Sequence, residues 1–269
     1  MIEAAFAAIR QRTDIAPRVA IVLGSGLGGF AACVEAPVEI AYGDIPGWPI
    51  STAIGHAGTL VLGRFKDVPI AVMRGRAHLY EGHAPDKIVF GVRVLAWLGV
   101  ATFVFTNAAG AVREDYAPGE LVLIADHLNL MGTSPLIGPN DDALGPRFLD
   151  MSNAYDADLR ALARQAGERL GQSLKQGIYA GLIGPAYETP AEVRMVAALG
   201  GDLVGMSTIP EVIAARHLGR KCLAISCVTN MAAGLATAPI DAGHVIAIGA
   251  AAQSRLTALL GEIVPALGR

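Results

Sequence analysis

Short apolar runs alternate along this chain with longer stretches of helical period. The runs at residues 19–23, 59–62, 70–73, 102–106, 121–125, 178–182 and 222–228, several of them rich in β-branched residues, read as strands. Helical patterns fall at about 2–12, 85–98, 156–170, 190–199, 210–218 and 244–260. Pro85, Pro190 and Pro210 head three of these, which suits a first helical turn. The runs AIVLG and CLAISCV are apolar throughout, the pattern of strands covered on both faces. No repeat, low-complexity tract or linker interrupts the alternation. The pattern predicts an α/β fold, a single domain over residues 1–269 with a central mixed β-sheet flanked by helices.

Polar and glycine-rich segments cluster just after the apolar strands: Gly24-Ser25-Gly26, residues 74–80, residues 107–110, and Thr229-Asn230. Ligands of α/β sheets gather where strands end, so these segments are candidates to line one cleft. Gly24, Gly26 and Gly29 match GxGxxG, and such glycines let backbone amides close around an anion. A dinucleotide-binding unit would need a crossover helix of at least ~10–12 residues after the loop. Only about seven residues separate Gly29 from Pro37, so that reading is disfavoured. Ser25 either adds a hydroxyl donor to the cradle or caps the helix after the turn.

The densest polar cluster is RGRAHLYEGH, residues 74–83. If extended, it puts Arg76, His78 and Tyr80 on one face. Arginine offers a planar donor fork for phosphate oxygens, histidine a further donor, and tyrosine a flat ring for a sugar. Taken alone, a solvated loop is the simpler reading. His56 is flanked by glycines, which implies close backbone approach, although a lone histidine is more often structural than catalytic.

Composition then narrows the class. The chain is 53% hydrophobic, which raises the question of a membrane. Its two charge-poor stretches, 94–112 and 222–240, are broken by Gly99, Thr106-Asn107, Gly234 and Pro239 and read as helix–turn–strand and strand–loop units. The amphipathic N-terminus with Arg10 and Arg12 does not resemble a signal peptide, so a soluble cytoplasmic protein is expected. A formal net charge of −3 offers no basic field for nucleic acid. Cys33, Cys222 and Cys227 form no regular spacing and suit buried thiols in a reducing compartment. No His/Cys/Asp cluster has metal spacing, and no metal is expected.

Together, GSGLGG, GHAG, RGRAHLYEGH, TNAAG, GPND, GPAYETPAE, VGMSTIPEVIAARH and VTN resemble the trimeric purine nucleoside phosphorylase family, in the family's order from Gly24 to Asn230, with His244 at its expected offset. The resemblance covers nearly the whole chain. It implies phosphate-dependent cleavage of 6-oxopurine nucleosides such as inosine and guanosine, with inorganic phosphate as co-substrate and no cofactor. Phosphate would be held by Ser25, Arg76, His78, the Ala108 amide and Ser207, with His56 closing over it. Ribose would lie between Tyr80 and Met206, with His244 near its 5′-hydroxyl. The base would be held by Glu188 and Asn230 and packed by Tyr187, and Phe148 would complete a neighbouring subunit's pocket, hence a homotrimer.

These types fit the chemistry. Phosphate is itself the nucleophile, so the protein needs a cage to orient it rather than an activated serine or cysteine. As the glycosidic bond breaks, the purine gathers negative charge; Asn230 can donate to it while Glu188 accepts from the ring N–H. The related methylthioadenosine phosphorylases usually carry aspartate where Asn230 stands and tend to lack the histidine at 244. Tyr187 replaces a phenylalanine of many relatives, and Met231 a lysine of some. Xanthosine-preferring relatives share Asn230-Met231, so a xanthosine enzyme is the alternative alongside the methylthioadenosine branch. A nucleosidase using water should lack the phosphate cage, and a non-catalytic binder would leave Glu188, Asn230 and His244 without work.

Overall fold

The computed structural model describes residues 1–236 and 239–268. Residues 237 and 238, within the loop expected after residue 228, lie outside the described residues. Helix α1 (Ile2–Arg10) precedes β1 (Val19–Val22), β2 (Glu35–Ala41), β3 (Thr59–Phe65) and β4 (Val68–Arg74). Then come α2 (Pro85–Ile88), α3 (Phe90–Trp97), β5 (Thr102–Ala111), β6 (Leu121–Asn129), α4 (Ala157–Arg169) and β7 (Lys175–Gly181). The chain continues through α5 (Pro190–Ala198), β8 (Leu203–Gly205), α6 (Ile209–His217), β9 (Lys221–Met231) and α7 (Ala242–Leu267).

The strands form a mixed sheet in the order β2-β3-β4-β1-β5-β8-β7-β6-β9, and β9 also pairs with β5. That extra pairing closes β5, β8, β7, β6 and β9 into a small barrel, from which β1, β4, β3 and β2 extend as an open wing. Strand β5 belongs to both parts, parallel to β1 on one side and to β9 on the other. Period-two alternation along β1 supplies two cores. Ala20 and Val22 face a cluster that includes residues of α1, α3 and α6, whereas Val19 and Ile21 face one built on α4 and α7. Helices on both faces explain why β1 is wholly apolar and why β9 is apolar from Cys222 to Ile225.

Every strand expected from the pattern is present, and two more appear. β2 is an edge strand with exposed Glu35 and Glu39 and with Pro37 inside it, which hides its period. It pairs antiparallel with β3 and comes after a short 3-10 turn at Gly28–Cys33, so no dinucleotide-type crossover exists after the glycine loop. β8 has only three residues, too few to show a pattern. The helix expected over 85–98 is two helices, divided at Val89 with φ −95° and ψ 1°. The last helix runs past the expected residue 260 to Leu267 and contains Pro265. Proline cannot donate to the carbonyl four residues back. Here Lys66 Nζ donates to that carbonyl, Gly261 O, at 2.8 Å.

Candidate functional site

The ends of β1, β4, β5 and β9 open into one cleft. The segments expected beyond strand ends line it, with one correction. Residues 107–110 are not a turn after β5 but its continuation, because the strand extends to Ala111. Polar Thr106 is tolerated inside the sheet because it is partnered: Thr106 Oγ1 donates to Val22 O at 3.1 Å and accepts from Gly24 N at 3.1 Å. Asn107 is partnered on one side only: Nδ2 donates to Thr208 Oγ1 at 2.8 Å, while the buried Oδ1 accepts no hydrogen bond among the described residues. The β5–β9 register shifts between Ala109 and Gly110, beside the Ala108 backbone that faces the cleft. Gly24 is required here, since a Cβ would fall 2.6 Å from Asn107 Cα.

One end of the cleft is an anion cage. Arg76 is almost wholly buried, with Nε 3.2 Å from the Glu211 carboxylate. Its other nitrogens donate to Thr106 O at 2.8 Å, Val22 O at 3.3 Å and Ser207 Oγ at 3.3 Å. The guanidinium is therefore a strut tying together the ends of β1 and β5 and the start of α6, and it lends the cleft mainly its charge and the fixed position of Ser207. His56 faces it: the Arg76 backbone N–H donates to His56 Nδ1 at 3.3 Å, and Nε2 lies 3.2 Å from Ser25 Oγ. An acceptor role for Nδ1 places the proton of the neutral ring on Nε2. Burial, then the neighbouring His78 and Arg76, lower the His56 pKa to about 3, so the ring is neutral at ordinary pH. Gly75 permits this contact, because a Cβ there would lie 2.5 Å from His56.

His78 completes the cage. Its Nδ1 is 2.9 Å from Glu81 Oε1, which also accepts from the His78 backbone N–H at 2.7 Å. The other oxygen, Oε2, accepts from Thr52 Oγ1 at 2.8 Å and Thr52 N at 2.5 Å. Burial pushes the Glu81 pKa up, but hydrogen bonds from His78 and Thr52 outweigh it and hold it near about 2. Glu81 thus fixes the His78 ring with Nδ1–H as donor and ties down the loop that carries His56. Nε2 of His78 is left to accept from a protonated phosphate oxygen or, on a protonated ring, to donate to a dianion.

The other end is built for a heterocycle. Glu188 is 8% exposed; burial raises its pKa and Glu192 adds to this, against a backbone hydrogen bond that lowers it. Asn230 is oriented by its neighbours: Oδ1 accepts from Thr229 Oγ1 at 3.0 Å and Nδ2 donates to Met231 O at 3.0 Å. One amide hydrogen and one carbonyl lone pair remain for a ligand. Tyr187 and Met206 line the same cleft. Tyr80 joins the two ends. Its ring stacks on His78 at 4.7 Å, and burial pushes its hydroxyl up to about 12, keeping it a donor.

The structure therefore gathers Ser25, His56, Arg76, His78, Tyr80, Ala108, Tyr187, Glu188, Met206, Ser207 and Asn230 around one cleft. His244 does not line it: the residue is exposed near the start of α7, its backbone N–H donates to Asp241, and Val245 faces the cleft instead. Phe148 is 89% exposed and also lies outside the lining. The sequence pattern did not point to Glu81, Glu211 or Thr208 as site residues, and it gave Asn107 no role beyond membership of the segment 107–110. Glu81 lay inside the RGRAHLYEGH string and Thr208 and Glu211 inside VGMSTIPEVIAARH, but nothing local pairs Glu211 with Arg76, 135 positions away.

Residues 18–265 match the family model of the phosphorylase superfamily, the class in which the barrel-plus-wing sheet and its strand-end cleft belong. Among similar proteins, purine nucleoside phosphorylase 1 of Geobacillus stearothermophilus is 50% identical over 245 residues, which span 91% of this chain and 89% of that one. Schistosoma mansoni purine nucleoside phosphorylase in complex with adenosine superposes with a TM-score of 0.95 at 38% identity, covering 100% of this chain and 97% of that chain. The same protein in complex with inosine gives 0.93 at 37%, covering 98% and 95%. The chain belongs to the purine nucleoside phosphorylase family.

Proposed function

We propose that this protein cleaves purine nucleosides with inorganic phosphate, releasing the free base and (deoxy)ribose 1-phosphate, and that it favours 6-oxopurines such as inosine and guanosine. One observation carries the reading: a cage of two hydroxyls, an arginine and two histidines shares a cleft with a buried carboxyl and an oriented amide. Phosphate sits among Ser25, His56, Arg76, His78, Ser207 and the Ala108 amide. Ribose lies against Tyr80 and Met206, and the purine reaches Glu188, Asn230 and Tyr187. A phosphate oxygen attacks the anomeric carbon while the bond to the purine nitrogen breaks, and that bond's electron pair passes into the purine. The free Asn230 N–H donates to the charge developing on the ring or its six-position oxygen, and Glu188 accepts from the ring N–H. Catalysis is positioning plus stabilisation of charge that appears only in the transition state. Phosphate is a co-substrate, and no cofactor takes part.

The exposure of Phe148 supports a homotrimer in which this ring completes a neighbour's pocket. Three free cysteines, two of them buried, support a cytoplasmic setting, and no helix among the described residues is long and apolar enough to cross a membrane. The test is purine release from inosine, guanosine, xanthosine and adenosine, each with and without phosphate. Strictly phosphate-dependent cleavage of the 6-oxopurine nucleosides, exceeding that of adenosine, is expected. Cleavage without phosphate would mean a hydrolase, preference for adenosine would overturn the role of Asn230, and a lead for xanthosine would establish the alternative substrate class.

A further inference from the structure

Helix α6 begins Thr208-Ile209-Pro210-Glu211, a spacing that ordinarily caps a helix through mutual bonds between its first and fourth members. Thr208 makes no such bond. It stands at φ 69° and ψ −52°, and the Ile209 N–H donates to Ser207 O at 2.7 Å, closing a three-residue turn around it. Turns of this kind are rare and strained, and for a β-branched residue the conformation is a marked outlier. Thr208 is fully buried, so solvent does not reward the strain. What the turn does achieve is to hold Thr208 Oγ1 within hydrogen-bond distance of both Asn107 and Ser207. Thr208 Oγ1 accepts from Asn107 Nδ2 at 2.8 Å and lies 3.1 Å from Ser207 Oγ, a contact in which either hydroxyl can be the donor. Ser207 Oγ accepts from Arg76 at 3.3 Å. With Thr208 as the donor, both lone pairs of Ser207 would be occupied and only its own proton would be left for the cleft that the residue lines.

We propose that Thr208, by donating to Ser207, and Asn107, by donating to Thr208, are positioning residues that turn Ser207 into an obligate donor to the phosphate co-substrate. The inference rests on the phosphorolysis reading above. Strain at a functional turn persists only where the surroundings over-determine it, and here the buried Asn107 amide and the Arg76 strut do so.

The test compares Thr208→Val, which keeps the shape and the β-branch but removes the hydroxyl, with Thr208→Ser, which keeps the hydroxyl. Steady-state KM for inorganic phosphate and for inosine would be measured below the melting temperature of each variant. Thr208→Val is expected to raise the phosphate KM roughly ten-fold while leaving the inosine KM within about two-fold, and Thr208→Ser to restore both. In a Ser207→Ala background, Thr208→Val should add nothing further to the phosphate KM. Should Thr208→Val not fold, Asn107→Ala removes the donor that feeds the hydroxyl, and the same split is expected. A phosphate KM unmoved in Thr208→Val or Asn107→Ala, or a Thr208→Ser as impaired as the valine, overturns the proposal. Wild-type activity indifferent to phosphate would instead overturn the phosphorolysis reading and this inference with it.

Discussion

Two helices beside the cleft start with the same local signature and use it differently. At α5, Thr189-Pro190-Ala191-Glu192 forms a capping box: Glu192 N–H donates to Thr189 Oγ1 at 3.3 Å, and Thr189 N–H donates to Glu192 Oε2 at 2.7 Å. At α6, Thr208 turns to Asn107 and Ser207, while Glu211 reaches Arg76. The difference stems from burial. The α5 start is exposed, so its side chains have only their own helix and water to bond. The α6 start is buried beside a guanidinium. A helix cap contributes about 1 kcal/mol, whereas an unpaired buried charge costs several. The carboxylate therefore goes to the arginine and the cap is forgone. Each helix also delivers the residue before its signature to the cleft, Glu188 to the base end and Ser207 to the phosphate end.

The largest expected effect breaks the α6 arrangement at its ion pair. Glu211→Ala leaves Arg76 buried without a counter-charge and should cost about 3–5 kcal/mol in a urea denaturation series. Glu192→Ala removes an exposed carboxylate and should shift the midpoint far less. Equal losses would mean that burial does not separate the two starts.

Next come the residues each helix delivers. Glu188→Ala should lower kcat/KM for inosine roughly 10²–10³-fold with little change in phosphate KM. Ser207→Ala should do the reverse, acting first on phosphate KM. The ionised Glu188 is the stronger acceptor for the ring N–H, and burial raises its pKa. The acid limb of kcat/KM should accordingly lie above the usual carboxylate range and vanish in Glu188→Gln. A limb unchanged in that variant would remove Glu188 from base recognition.

Local patterns made half of this comparison legible. Strands β1 and β9 stood out because helices cover both faces, and the cage residues because they cluster behind strand ends. What could not be read is set by distant partners. Thr208 and Glu211 look like an ordinary cap, and only the buried Arg76, 135 positions from Glu211, diverts them. Thr106-Asn107 read as a turn because their polar groups had no visible partners, yet Val22, Gly24 and Thr208 supply them inside the sheet. β2 was hidden by Pro37 and its exposed glutamates. His244 and Phe148 were named by resemblance, and neither meets the cleft of its own chain.

A smaller effect sharpens the electrostatics of the phosphate end. His56 titrates near pKa 3 in the folded protein and near 6.5 when unfolded. Between these values the unfolded chain binds the extra proton, so His56 contributes stability that is present above about pH 6.5 and is lost as pH falls toward 3. In phosphate-free buffer, the stability difference between wild type and His56→Gln should shift against the wild type from pH 7 to pH 5. A difference that stays constant would mean that folding leaves the His56 pKa at its unfolded value.

The smallest expected effect tests the α5 cap itself. Thr189→Ala removes the hydroxyl that accepts from Glu192 N–H and should cost about 1 kcal/mol, since the helix end remains open to water. Its kinetic consequence should be confined to the base end. Thr189 is the next residue after Glu188, and Glu192 is one of the groups that raise the Glu188 pKa. A looser cap lets Glu192 drift into solvent, which lowers the Glu188 pKa and moves the acid limb of kcat/KM for inosine slightly downward. The phosphate KM should not change, because no hydrogen bond of the Thr189 or Glu192 side chain leads to Ser207 or Arg76. A Thr189→Ala variant with a raised phosphate KM would show that the two helix starts move together. The contrast between a self-contained cap and a diverted one would then fail, because a disturbance at either start would reach both ends of the cleft.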